Sequence, residues 1–214
     1  MQDTFKHKGL RKLLIEELRL KGIKDERVLD AFFEVPRHFF LDLAFEKQAY
    51  SNTAFQIGAG QTISHPFTVA FQTELLKLTK GEKVLEIGTG SGFQTSILST
   101  MGVKVFSIER QRELFIKAKK IVAEVLKLNA KLFYGDGYKG RTIDAPFDKI
   151  LVTCGAPFIP EALLQQLKVG GILVIPLGEG DVQAMKRITK ISETEYQTED
   201  FGDFSFVPML ENTK

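Results

Sequence analysis

Residues 84–95 read VLEIGTGSGFQT and decide the fold class: a buried apolar run passes into three glycines, and a helical pattern follows. Glycines at such a turn let a ligand approach the backbone closely, and they can adopt dihedral angles that other residues avoid. A dinucleotide fingerprint needs G-x-G-x-x-G, and Phe93 stands where its last glycine would be. The motif formed by Glu86, Gly88, Gly90 and Gly92 is therefore E-x-G-x-G-x-G, which fits a pyrophosphate less well.

Short β-rich runs alternate with helical patterns from residue 83 onward. The runs are KVLEIG, KVFSIE, AKLFYGDG, FDKILVTCG and GGILVIPLG, and the helices are expected at about 92–101, 111–128 and 160–167. This alternation predicts an α/β fold with a doubly wound, mostly parallel sheet. MKRITKIS and SFVPML predict two further strands and an antiparallel C-terminal edge. Before residue 83, helices are expected at about 6–21 and 25–34, and the second ends at Pro36.

Composition excludes several classes of function. The 214 residues and 43% hydrophobic content suit one domain, and 29 basic against 27 acidic residues predict neither nucleic-acid nor membrane binding. No apolar run reaches the roughly 20 residues that a membrane-spanning helix needs. Cys154 is the only cysteine, so an internal disulfide and a multi-cysteine metal site are excluded. We expect a cytoplasmic monomer without a bound metal.

Acidic residues follow three successive predicted strands. Glu86 ends the first, Glu109 ends the second about 20 residues later, and Asp136 with Gly137 follows the third. The ends of parallel strands converge on one crevice, so these carboxylates can accept hydrogen bonds from an amino group, a ribose and an adenine amine respectively. The ligand that fits all three is S-adenosylmethionine, because Glu86 would repel a phosphate but attract a cation.

A polar loop, GAGQTISHP at 58–66, lies upstream of the glycines. It lacks the G-x-S-x-G turn that exposes a nucleophilic serine. His65 directly follows Ser64 in an extended segment, and neighbouring side chains there point apart, so we expect no serine–histidine pair. Lone histidines beside aromatic residues, such as His38, are more often packed than catalytic.

Motifs along most of the chain resemble the protein-L-isoaspartate O-methyltransferase family. In order they are VPRHFF, AY at 49–50, IGAGQTISHP, TELL, VLEIGTGSGFQT, IER, GDG, APFD, IP at 159–160, QL at 166–167, GGILVIPLG and a late VP. The match extends from about residue 35 to 178, and fewer motifs match from there to 208. GQTIS together with VLEIGTGSG is far more specific than a glycine loop alone.

This resemblance implies a Rossmann-like methyltransferase domain with a seven-stranded sheet and N-terminal helices. Residues 1–60 would form the helical, substrate-side segment, 61–180 the donor-binding core and 181–214 the C-terminal strands. The implied reaction transfers a methyl group from S-adenosylmethionine, leaving S-adenosylhomocysteine, to the α-carboxylate of L-isoaspartyl residues in damaged proteins, which begins their repair through a succinimide. Ser64 would be the active-site residue. The implied donor-binding residues are Gln61, Thr62, Ile63, Ser64, Glu86, Gly88, Gly90, Gly92, Glu109, Arg110, Asp136 and Gly137.

Alternative functions differ in the acceptor. A methyltransferase for a small carboxylic acid, or an inactive nucleoside-binding homologue, would have the same donor site. A cytosine-C5 methyltransferase would use Cys154 as nucleophile, but Thr153 stands where those enzymes usually carry proline. We therefore expect a buried, inert thiol.

Overall fold

The computed structural model describes residues 2–214. The helices are α1 Phe5–Leu20, α2 Glu26–Glu34, α3 Pro66–Leu75, α4 Phe93–Thr100, α5 Arg112–Lys119 and α6 Glu161–Gln165. The strands are β1 Phe55–Gly58, β2 Gln61–Ile63, β3 Lys83–Ile87, β4 Lys104–Glu109, β5 Ala130–Tyr134, β6 Phe147–Val152, β7 Leu167–Leu177, β8 Gln183–Lys190 and β9 Tyr196–Phe204. None of the helices in this described part of the chain is long and apolar enough to cross a membrane.

Seven strands form one sheet in the order β5-β4-β3-β6-β7-β8-β9. Strands β3 to β7 are parallel, whereas β8 and β9 run antiparallel at the edge. The direction of winding reverses between β3 and β6, and in such sheets a ligand crevice opens at the carboxyl ends of the strands at this point. The doubly wound α/β fold with an antiparallel C-terminal edge is confirmed.

The last strand is not the segment that the sequence pattern indicated. Strand β9 is Tyr196–Phe204, whereas SFVPML at 205–210 lies outside the ladder of the edge. Pro208 lacks an amide hydrogen and cannot continue a strand ladder. Instead, the Gly155 amide donates to the Val207 carbonyl at 2.8 Å and the Met209 amide donates to the Gly155 carbonyl at 2.7 Å. The apolar alternation in this segment therefore reflects its packing across the crevice.

The polar loop at 58–66 begins inside a short antiparallel hairpin of β1 and β2. Its turn, Gly58 to Gly60, has positive φ at all three residues, which glycine tolerates best. Ile63 is buried at the end of β2, and Pro66 occupies the first turn of α3, where a missing amide hydrogen has no cost. The hairpin thus fixes residues 61–64 between two anchored ends.

Helix α2 packs against α4, and α1 packs against α2 and α3, beside the hairpin. Leu18, Phe32 and Phe93 belong to one buried cluster that joins α1, α2 and α4. Phe93 contacts Phe32 edge-on at 5.5 Å between ring centroids. The N-terminal helices are therefore part of the wall that positions the hairpin relative to the glycine turn.

Candidate active site

An open cavity of about 860 Å³, including its solvent-facing mouth, lies at the carboxyl ends of β3, β4 and β6. Three segments wall it: residues 61–64, residues 87–91 after β3, and residues 207–210. A cavity therefore lies where the winding of the sheet predicts a crevice.

The glycine turn forms one wall. Gly88 has a φ of 96°, and a Cβ built on it would lie 2.5 Å from the Thr153 hydroxyl oxygen. Gly88 and Gly90 line the cavity, whereas Gly92 lies behind it as the residue preceding α4. Because a side chain at 88 would clash across the crevice, glycine is required there for both its conformation and its size.

Glu109, at the end of β4, also lines the cavity. Its two carboxylate oxygens accept the amides of Gly90 and Gln111, each at 2.8 Å. Burial raises the pKa of this carboxyl, although the backbone amides partly offset the effect. A carboxylate has about four acceptor sites, so Glu109 can shape the glycine turn and still accept hydroxyl groups from a ligand.

Glu86 is placed differently from the sequence expectation of direct ligand contact. Its side chain is 0% exposed and does not line the cavity, because it points into the protein beneath the glycine turn. The Thr95 hydroxyl donates to Oε2 at 2.5 Å, and Oε1 has no hydrogen-bond partner among residues 2–214. Burial raises the pKa of Glu86 to about 7.

Asp136 and Arg110 hold the C-terminal segment. The Asp136 carboxylate accepts the amides of Tyr138 at 3.0 Å and Asn212 at 3.1 Å, and it does not line the cavity. Arg110 lines the cavity, and its guanidinium donates to the carbonyl of Asn212 at 2.8 Å. Gly137, the neighbour of Asp136, does form part of the wall.

Gln61, Thr62, Ile63 and Ser64 all line the cavity opposite the glycine turn. No side chain among residues 2–214 hydrogen bonds to the Ser64 hydroxyl, including the His65 ring. Burial lowers the pKa of His65, so its imidazole is neutral at neutral pH. The site therefore contains a serine that is free to donate to a ligand but has no base to activate it as a nucleophile.

Sequence reasoning missed two glutamines in the wall, Gln72 of α3 and Gln94 of α4. The Gln72 amide donates to the Val152 carbonyl at 3.0 Å, and that of Gln94 donates to the Thr73 hydroxyl at 2.9 Å. The Gln94 Oε1 atom is buried without a partner among the described residues. Both residues interrupt largely buried helix faces, and this polarity is the signal that could have found them.

Two other candidates have environments that do not suit catalysis. Cys154 is half-buried, not fully buried as expected, and it lines the cavity; desolvation raises the pKa of its thiol to about 12, which favours the protonated form at neutral pH. His38 is fully buried, stacks on His7 at 3.9 Å between ring centroids and hydrogen bonds to the Tyr50 hydroxyl at 2.6 Å. These contacts agree with a packed histidine and an inert thiol.

Known proteins resemble this chain over nearly its whole length. The family model described as protein-L-isoaspartate(D-aspartate) O-methyltransferase matches residues 9–214. A protein-L-isoaspartate O-methyltransferase from Cytophaga hutchinsonii is 57% identical over 210 residues, which are 98% of this chain and 95% of that protein.

Two solved structures show the same relationship. One protein-L-isoaspartate O-methyltransferase superimposes with a TM-score of 0.86 at 29% identity, over 94% of this chain and 66% of that longer one. A Plasmodium falciparum structure, described as a beta-aspartate methyltransferase in complex with S-adenosyl-L-homocysteine, gives a TM-score of 0.82 at 27% identity, over 94% of this chain and 99% of that one. This chain therefore belongs to the protein-L-isoaspartate(D-aspartate) O-methyltransferase family.

Proposed function

We propose that this protein transfers a methyl group from S-adenosylmethionine to the α-carboxylate of L-isoaspartyl residues in damaged proteins and peptides. The observation that carries the proposal is one cavity in which residues 61–64 face the glycine turn and Glu109. Family membership supplies the acceptor, and the Plasmodium falciparum relative binds the demethylated form of the donor.

The polar groups of the wall suit this donor. Glu109 and the unpartnered Oε1 of Gln94 are acceptors, which favour a ligand rich in N–H and O–H groups and disfavour a phosphate. Glu109 would accept the ribose hydroxyls, while Gly88 and Gly90 allow close approach of the backbone. When bound, S-adenosylmethionine supplies a methyl group on a positively charged sulfur.

The acceptor needs no general base. An aspartate-like carboxyl has a pKa of about 3.9 and is already an anion at neutral pH. The task of the protein is therefore to orient this anion and exclude water, effects that can lower a barrier by up to ~7–11 kcal/mol when alignment is ideal. Ser64 would donate a hydrogen bond to the carboxylate, since its hydroxyl has no internal partner that would compete.

The same geometry would select isoaspartate over aspartate. Isoaspartate carries its free carboxylate on a short branch from the main chain, whereas aspartate presents its carboxylate one carbon farther away. A misplacement of roughly 1 Å can reduce a rate by about 10²-fold. The product ester would close to a succinimide without the enzyme, and hydrolysis would return some normal aspartate.

The test uses two peptides that differ only in isoaspartate or aspartate at one position. Labelled methyl from S-adenosylmethionine should pass to the isoaspartyl peptide at least about 10²-fold faster. Equal labelling of both peptides, or labelling only of free small acids, would leave a methyltransferase with a different acceptor. Calorimetry with S-adenosylmethionine and NAD checks the donor separately.

Other parts of the sequence-based interpretation stay predictions. Contacts of Glu86, Gly92 and Asp136 with the donor would have to be indirect in the arrangement described above. The monomeric state, the cytoplasmic location and the absence of a nucleic-acid partner are likewise expectations from composition.

A further inference from the structure

Arg37 is a buried arginine behind the Ser64 segment. It begins a short 3-10 turn directly after Pro36, and only 1% of its surface is exposed. It does not line the cavity. An arginine is rarely buried to this degree without a compensating partner, so its environment calls for an explanation.

The guanidinium joins three segments of the acceptor side through their backbone. Its nitrogens donate to the carbonyls of Ala49 at 2.6 Å, Thr53 at 2.9 Å and Ser64 at 3.0 Å. A rigid fork with several donors is suited to binding three carbonyls at once. Arg37 thus fixes the backbone of Ser64 relative to the chain that enters β1.

The charge of this guanidinium is not neutralised by a carboxylate. Among residues 2–214, no aspartate or glutamate forms an ion pair with Arg37. The rings of Phe55 and Phe93 lie 5.6 Å from its central carbon instead. Burial lowers the pKa of Arg37 to about 9, which still leaves it charged at neutral pH. Its positive charge also contributes to the lowered pKa of His65, after burial.

A second buried arginine shows the usual arrangement. Arg11 is 2% exposed, but the Asp3 carboxylate accepts two hydrogen bonds from it, at 2.9 and 2.7 Å. The chain therefore contains one buried arginine with its counter-ion and one without. The arginine without a counter-ion, Arg37, donates directly to the carbonyl of Ser64, in the segment proposed to face the acceptor.

We propose that Arg37 is a positioning residue whose uncompensated charge makes the Ser64 segment select an anionic acceptor, with the substrate carboxylate acting as the missing counter-ion. This inference rests on the proposed function. At an effective dielectric constant of about 20, a unit charge placed roughly 8 Å from an anion would change the binding of that anion by about tenfold or more. The hydrogen bonds hold Ser64 in place, and the charge distinguishes a carboxylate from a neutral group of the same shape.

The experiment compares an isoaspartyl peptide with its isoasparaginyl counterpart, in which a neutral carboxamide replaces the α-carboxylate. KM and kcat are measured for the first peptide, and the second is assayed as a competitive inhibitor. The variants are Arg37→Met and Arg37→Gln, which remove the charge, and Arg37→Lys, which keeps it. Arg11→Met is the matched control, because it removes a buried arginine that has its own counter-ion. Thermal unfolding and calorimetry with S-adenosylhomocysteine verify that each variant is folded and binds the donor product.

The wild-type protein should prefer the carboxylate peptide by about tenfold or more. Either neutral variant should reduce this preference to within about threefold, while the affinity for S-adenosylhomocysteine changes little. Arg37→Lys should retain the preference but lower kcat, because one ammonium cannot hold three carbonyls. Arg11→Met should lower stability and leave the preference intact.

Three results would overturn the inference in distinguishable ways. A folded neutral variant that keeps the wild-type preference would exclude the charge of Arg37 as its source and leave the proposed function standing. A wild-type protein that methylates the isoaspartyl peptide but binds both peptides equally well would likewise contradict this inference alone. A wild-type protein that does not methylate the isoaspartyl peptide would contradict the proposed function and this inference together.

Discussion

The buried carboxyl of Glu86 should make the stability of the protein depend on pH in an unusual direction. Its pKa rises from 4.5 to about 7 because burial removes water from the charged form, and the charge of Glu109 adds to the shift. The nearby hydroxyls of Ser107 and Thr95 oppose the shift without cancelling it. Since the folded state binds this proton more tightly than the unfolded chain, the contribution is present below about pH 4.5 and is lost as pH rises through about 7.

The magnitude follows from the two pKa values. Each pKa unit corresponds to about 1.4 kcal/mol, so raising the pH from about 5 to about 8 should remove roughly 2 to 3 kcal/mol of unfolding free energy through this group. Glu86→Gln cannot titrate, so the difference in unfolding free energy between variant and wild type should move by that amount across this range.

Urea unfolding of both proteins at several pH values measures this difference. Titration of buried histidines affects the two proteins alike and cancels in the comparison. The uncharged amide has its own cost, but that cost is independent of pH and does not alter the slope. Parallel pH profiles for the two proteins would show that Glu86 titrates normally and would refute the reasoning.

Three other changes test the walls of the cavity. Gly88→Ala should lower the free energy of unfolding by about 2 kcal/mol or more and abolish donor binding, because the φ of Gly88 is 96° and the added Cβ would meet a side-chain oxygen at 2.5 Å. Thermal unfolding and calorimetry measure the two effects. Gly9→Ala, in an open stretch of α1, is the control and should be neutral or stabilising. Ser64→Ala should lower kcat by roughly tenfold to hundredfold, as expected for one lost hydrogen bond to a charged group, with donor affinity unchanged; a covalent adduct trapped on the serine would contradict its orienting role. Asp136→Ala should release the amide of Asn212, now held at 3.1 Å, and speed limited proteolysis of the last residues; an unchanged cleavage rate would show that this contact does not anchor the tail.

The glycine turn and the strand end that line the cavity were predictable because their signals are local. The glycine spacing at 88–92 follows from dihedral angles that single residues must adopt, and the alternation of strands and helices places Gly88, Gly90 and Glu109 at converging strand ends. Local signals did not assign residues 61–64, because a polar loop has no periodicity of its own. Only the family resemblance predicted that they belong to the active site.

The directions in which the side chains of Glu86, Asp136 and Arg110 point could not be read from strand ends. An acidic residue after a strand can point into the crevice, below it or along the chain, and only packing distinguishes these directions. Here Glu86 is enclosed beneath the turn, while Asp136 and Arg110 bind the backbone of a segment about 75 to 100 residues later.

The sequence by itself determined the alternating order of strands and helices, the strained glycine turn and the set of groups able to bind a ligand, since each depends on residues close together in the chain. Tertiary structure decided which of these groups reach the cavity, which hold other segments and which lack a counter-ion. Arg37 illustrates the difference: VPRHFF indicates only a turn after a proline, whereas its three carbonyl partners lie 12, 16 and 27 residues away. Hydrogen bonds between distant segments and the exclusion of water arise only when the chain is packed. No local pattern could therefore reveal that the charge of Arg37 is buried without a counter-ion.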